Sequence, residues 1–153
     1  MIARKTTMLV AMGACLLGLL TLGSQKNPVE RPHKGWGHFT AVVDLTTGDF
    51  EANGVGHSTH WGRSRNTMAG QMDLDTFAVL WGFGIMTVAN GDEVFLEANE
   101  DGSTAITGGS GRFEGATGSV VATAMWNVET SVDLDTMTMT MSYDALLEGT
   151  ITY

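Results

Sequence analysis

Residues 37–153 contain no proline. Proline cannot donate to a β-ladder, so a proline-free run of this length is what continuous strand pairing requires. Within it, Thr136-Met137-Thr138-Met139-Thr140-Met141-Ser142-Tyr143 alternates strictly, with Met137, Met139, Met141 and Tyr143 on one face and hydroxyls on the other. No stretch repeats apolar residues at helical spacing. Runs with strand character fall near 36–44, 49–53, 59–72, 77–89, 93–98, 104–107, 119–132 and 136–152. Eight such runs predict an all-β fold, a single eight-stranded antiparallel β-barrel with no substantial helix outside an N-terminal signal peptide.

The connections support this pairing. Asn90-Gly91 is a type I′ hairpin signal, because both central positions of that turn need positive φ. Thr46-Thr47-Gly48-Asp49, Asn99-Glu100-Asp101-Gly102 and Asp133-Leu134-Asp135 mark further reversals. The third and seventh runs exceed an ordinary strand, so they are either long tilted barrel strands or strands that bend at a glycine such as Gly70.

Composition narrows the function classes. Twenty glycines with only two prolines and 43% hydrophobic residues exclude collagen-like and disordered chains. Seventeen acids against eight bases give a net charge of −9, too few cations for a broad nucleic-acid face. Arg4 and Lys5 precede an apolar run over 8–22 and the small-ended Thr21-Leu22-Gly23. That run is shorter than the roughly 20 residues of a membrane span, so residues 1–23 read as a signal peptide cut before Ser24, an uncleaved anchor being the alternative. The expected location is secreted or periplasmic, with no stable membrane insertion after processing. Cys15 is the only cysteine, so the exported chain would hold no disulfide and would rely on its core. Residues 24–35 carry both prolines and read as an exposed leader, which leaves 36–153 as the barrel.

The fourth strand run is apolar on both faces. Phe77, Val79, Trp81, Phe83 and Ile85 share one face, and Ala78, Leu80, Gly82, Gly84 and Met86 the other. One face fills a barrel and the other needs a cover, so a homo-oligomer is expected.

The run Ala105-Ile106-Thr107-Gly108-Gly109-Ser110-Gly111-Arg112-Phe113-Glu114-Gly115-Ala116-Thr117-Gly118-Ser119-Val120 resembles the signature loop of the allene oxide cyclase barrel family. Plant dirigent proteins carry a similar loop. Gly56-His57-Ser58-Thr59-His60-Trp61-Gly62-Arg63 and the closing Gly149-Thr150-Ile151-Thr152-Tyr153 are similar to exported bacterial members of unassigned activity. The resemblance covers most of 35–153 and implies a closed eight-stranded barrel, often trimeric. Catalysis in the plant cyclase is a cofactor-free ring closure of an unstable lipid epoxide. Its proline-bearing catalytic stretch has no matching run here, so no catalytic residue carries over. Gly108, Gly109, Gly111, Arg112, Phe113, Gly115 and Gly118 read as a structural loop, with Phe113 packing it onto the barrel. A phosphate cradle fails, because no Walker lysine follows and a strand rather than a helix comes next.

Several side chains remain as site candidates. His57 and His60, three apart, share a site only if the chain turns between them, and no metal or cofactor is implied. Arg63 and Arg65 share a strand face and could hold an acidic head group. Trp61, Trp81 and Phe83 could line an apolar ligand cavity. Glu97 is the weak catalytic candidate: turned into the lumen, its pKa would rise and it could act as acid or base. The expected function is binding of a small hydrophobic or amphipathic ligand. The alternatives are a cofactor-free isomerase or cyclase, and a filled barrel acting through its outer face. An open apolar lumen, a lumenal carboxylate or a packed interior would distinguish the three.

Overall fold

The computed structural model describes residues 28–153. The signal peptide expected over 1–23 and its cut before Ser24 lie outside the described residues. Eight strands close in sequence order: β1 (Glu30–Asp44), β2 (Asp49–Ser58), β3 (Gly62–Met72), β4 (Val79–Val88), β5 (Glu93–Ala98), β6 (Ser103–Gly109), β7 (Thr117–Asp133) and β8 (Thr138–Thr152). Every neighbouring pair is antiparallel, and β8 returns to β1. The one helical element among the described residues is a 3₁₀ turn, Gly111–Phe113. None of the described residues forms a helix long and apolar enough to cross a membrane.

The barrel begins earlier than the sequence suggests. β1 starts at Glu30, so the expected leader over 24–35 is in part a strand, and Pro32 lies inside it. Residues 30–34 pair with β8 alone, because β2 joins only from Gly35 onward. In an antiparallel strand a residue's N–H and C=O point to the same neighbour. The Pro32 carbonyl accepts from the His60 ring 2.8 Å away, on the side where no strand lies. The missing N–H therefore faces that same side and breaks no ladder bond.

Alternating burial identifies the inner face. On β1, His33, Gly35, Gly37, Ala41 and Val43 are buried while Trp36, His38 and Val42 are exposed. On β4 the large face predicted to hold Val79 with Trp81 is broken by a register shift, Met72 pairing with Val79 and Gln71 with Trp81. Leu80 is the extra residue of this bulge, and it turns Val79 toward the interior. Trp81, Phe83 and Ile85 stay outside, 47%, 59% and 43% exposed, and Gly82, Met86 and Val88 are buried. β7 has two such irregularities, at Ala122/Ala124 and Trp126/Glu129, which let a 17-residue strand follow the barrel wall.

Two apolar clusters divide the interior. Val43, Phe50, Met72 and Met139 pack at the end that carries the β1–β2, β3–β4, β5–β6 and β7–β8 turns. A larger cluster around Trp61, Val94, Ile106, Phe113 and Ile151 fills the other end. There the glycine-rich loop closes the barrel. Ser110 N–H donates to the Glu93 carbonyl at 2.9 Å while Glu93 N–H donates to Ser110 Oγ at 3.1 Å. Gly111 has φ +59° with the Asp92 carboxylate against its Cα, a position where a Cβ would clash. Asp92 also accepts from Arg112 N–H at 3.3 Å. These contacts fix the loop so that Phe113, wholly buried, packs edge-on against Tyr153 with ring centroids 5.4 Å apart. Phe113→Ala is expected to destabilise the fold by about 3–5 kcal/mol, the cost of emptying a phenylalanine-sized core site. Urea unfolding with an unchanged m-value checks this.

Candidate functional site

Between the two clusters the barrel is open. A cavity of about 360 Å³ runs from the middle of the lumen to the end bearing the β3–β4 and β5–β6 turns. Eight-stranded barrels are ordinarily just large enough for side chains to fill. Space remains here because many inward positions hold alanine or glycine: Ala41, Ala52, Ala98, Ala122 and Ala145 line the cavity. Phe39 lies across Gly37 and Gly54, whose missing side chains leave room for the ring to lie flat against the wall. Tyr143 stacks on Phe39 with centroids 5.5 Å apart and planes 27° apart.

The lining is mostly apolar, with Met68, Met72, Met86 and Met141 contributing adaptable surface. Its polar members are uncharged: Tyr143, Asn53, Asn66, Asn99, Ser103 and Thr104, with the indole of Trp61. Burial pushes the Tyr143 phenol above its ordinary value, so it stays a neutral O–H. Asn66 Oδ1 and Trp61 Nε1 are buried and have no hydrogen-bond partner among the described residues.

The mouth is acidic. Asp44 and Asp49, Asp73 and Asp75, Glu100 and Asp101, and Asp133 and Asp135 occupy the four turns at this end, which contain no lysine or arginine. Asp49 accepts from the Thr47 hydroxyl at 3.0 Å, and in each turn one further Asp accepts several local hydrogen bonds: Asp44 from the Thr46 hydroxyl, Asp73 from Thr76 N–H, Asp101 from Ser103 and Asp133 from Thr136 N–H. These donors hold the four carboxyls below the usual carboxylate range. Phe77 in the β3–β4 turn lines the mouth with φ +56°, a left-handed conformation that a bulky residue rarely adopts.

Of the residues singled out from the sequence, only Trp61 lines the cavity, at its floor and 2% exposed. Trp81 and Phe83 lie on the outer face, rings 5.9 Å apart. Glu97 also points outward, paired with Phe83 and Ala105, while Val94, Leu96 and Ala98 face in. Arg63 and Arg65 are exposed on β3, outside the ion pairs Lys34–Glu148 and Arg112–Asp92 and the hydrogen-bonded pair His38–Asp144. His57 is outward on β2 and His60 is in the following turn, so the two do not converge. No group of three or more metal-ligating side chains forms among the described residues. Tyr143 and Asn66 were not singled out; the alternation through Tyr143 was visible, but alternation alone does not say which face turns inward.

His60 instead meets a residue assigned to the leader. His33 is 1% exposed, its ring 4.0 Å from Trp61 and 6.0 Å from His60 by centroid, and neither of its nitrogens has a partner among the described residues. Loss of hydration, with a smaller contribution from His60, lowers its pKa to about 4. The unfolded chain takes up a proton near pH 6.5 and the folded chain only near pH 4, so stability is full above 6.5 and declines between these values. The expected loss is about 3 kcal/mol across that window. Denaturant midpoints measured along a pH series should show it, and His33→Leu should flatten the series.

Comparison of the chain with protein-family models, with curated proteins and with solved structures finds no match.

Proposed function

We propose that the barrel is a binding protein for a small, largely apolar molecule held in its lumen. The observation that carries this reading is the cavity of about 360 Å³, open at one end and walled mainly by alanine, methionine and aromatic side chains. That volume lies within the roughly 300–1000 Å³ of pockets that enclose small ligands. A filled barrel would leave no such space. The cofactor-free isomerase reading draws less support, because Glu97 faces outward and, among the described residues, Tyr143 is the one titratable side chain lining the cavity. A signal peptide over 1–23 would place such a carrier outside the cytoplasm, where its expected lack of disulfides makes the closed sheet its main constraint. Phenylnaphthylamine, a neutral apolar fluorophore, should bind with enhanced emission. Ala122→Trp fills the lumen and should abolish that binding while the β-sheet circular dichroism persists; retention of binding would place the dye elsewhere and end the proposal.

A second reading concerns the outer wall, where a specific pattern supports pairing with a second copy. Trp81, Phe83 and Ile85 form an exposed stripe on β4, and Phe95 of β5 sits beside Ile85. Next to the stripe, Arg65 and Arg63 lie toward the closed end and Glu51 and Asp49 toward the mouth. The face is therefore self-complementary about a two-fold axis running across the strands, which lays Phe83 against the partner's Ile85 and sets Arg65 level with the partner's Asp49. The trimer implied by the family resemblance would instead set this face against a different surface. Light scattering of the mature protein should give a dimer that Phe83→Asp converts to monomer; a wild-type monomer at high concentration sinks the pairing.

A further inference from the structure

The lumen and its mouth together carry a statement about ligand charge, one that rests on the binding reading above. No side chain lining the cavity bears a charge. An ion drawn into it would lose its hydration with no counter-charge to replace it, at a cost of several kcal/mol. The polar groups that are available there are neutral. Tyr143 lines the cavity with its ring stacked on Phe39, and a phenol both donates and accepts.

The approach to the cavity has a sign. Eight carboxylates ring the mouth, two in each of its four turns, without a base among them. Five accept turn hydrogen bonds, Asp49 from the Thr47 hydroxyl and Asp44, Asp73, Asp101 and Asp133 as described above. The carboxylates of Asp75, Glu100 and Asp135 cap nothing: the first and last join their turns through backbone N–H, to Asp73 and Asp133. The five arginines and lysines of the described residues, Arg31, Lys34, Arg63, Arg65 and Arg112, all lie in the half of the barrel away from the mouth. The field at the opening is thus negative and lowers the local concentration of anions.

We propose that the lumen selects uncharged molecules and rejects anionic amphiphiles, with the Tyr143 hydroxyl meeting a neutral hydroxyl or carbonyl of the ligand. The favoured class is a long-chain alcohol or ketone rather than a fatty carboxylate of the same length. The acidic rim supplies part of the discrimination and the uncharged wall the rest.

Displacement of bound phenylnaphthylamine by decanol, decane and decanoate tests this. Decanol is expected to displace the dye at concentrations about 100-fold below decanoate, as a burial cost of a few kcal/mol requires. Tyr143→Phe should weaken decanol about 3- to 10-fold, the range of one neutral hydrogen bond, and leave decane unchanged. The combined variant Asp75→Asn, Glu100→Gln and Asp135→Asn spares every turn cap, and should raise decanoate affinity at about 0.01 M salt but not at about 1 M, where the Debye length is only ~3 Å. Decanoate matching decanol on the wild-type chain overturns the selectivity. An unaltered decanol-to-decane ratio in Tyr143→Phe overturns the role of Tyr143, and unaltered decanoate rejection in the rim variant overturns the role of the rim. Failure of the dye itself to bind is a separate result, and it removes the binding reading instead.

Discussion

β8 pairs with β1 at every position from Glu30↔Thr152 to Asp44↔Thr138, and this seam removes the last free edge of the sheet. An open sheet of these strands would expose a row of unpaired backbone groups, a template for aggregation. Closure also fixes an inside, and that is what makes the alternation along each strand meaningful. The overhang at the start of β1 shows how far the seam governs the chain. In the ladder residues 30–34 pair with β8 alone, and on their other side the Thr59 N–H and the His60 ring bond the Lys34 and Pro32 carbonyls, so that this proline-bearing segment stays in the wall with His33 buried beneath Trp61.

Once the wall is closed, the two ends differ in how they are filled. The closed end is packed by large side chains and sealed by Phe113 on a loop whose glycines allow backbone to lie against Glu93 and Asp92. The middle is walled by alanines among methionine and aromatic side chains, and the small alanines leave space. The closed end therefore carries more of the packing stability, and the lumen can remain open without the fold depending on a ligand to fill it. Strain at Phe77 sits at the open end, among turns held by local hydrogen bonds rather than by deep packing.

Much of this was legible in the sequence. The proline-free run and the turn signals gave eight strands, and β5 was delimited residue for residue. The glycine-rich loop at 108–118 and the packing of Phe113 onto the barrel were expected from the resemblance of this run to a signature loop together with the backbone freedom of glycine. The inside-outside assignment was less legible. On β4, a one-residue bulge at Leu80 separates Val79 from Trp81, and no feature of the local sequence marks it. Glu97 shows the same difficulty, since alternation grouped it correctly with Glu93 and Phe95 but did not choose their side. His33 was missed because Pro32 suggested a leader, and proline's tolerance depended on a neighbour that ends at Ser58. A signal for the mouth was present: Asp-Leu-x-Thr recurs at Asp44, Asp73 and Asp133, each opening a turn at the same end of the barrel.

That recurrence bears on why the mouth is acidic. An Asp at the first position of a tight turn accepts the N–H groups two and three residues on, so its charge is a by-product of turn chemistry. Asp44, Asp73 and Asp133 each accept from two such N–H groups. Turn chemistry explains these carboxylates, and asparagine could replace them in the same role. It does not explain Asp75, Glu100 and Asp135, whose side chains stabilise no turn and whose mutual repulsion across one opening is unfavourable. Acids that add nothing to the hairpins, gathered where the cavity meets solvent and opposite in position to every described base, make charge at the mouth a property separate from the fold.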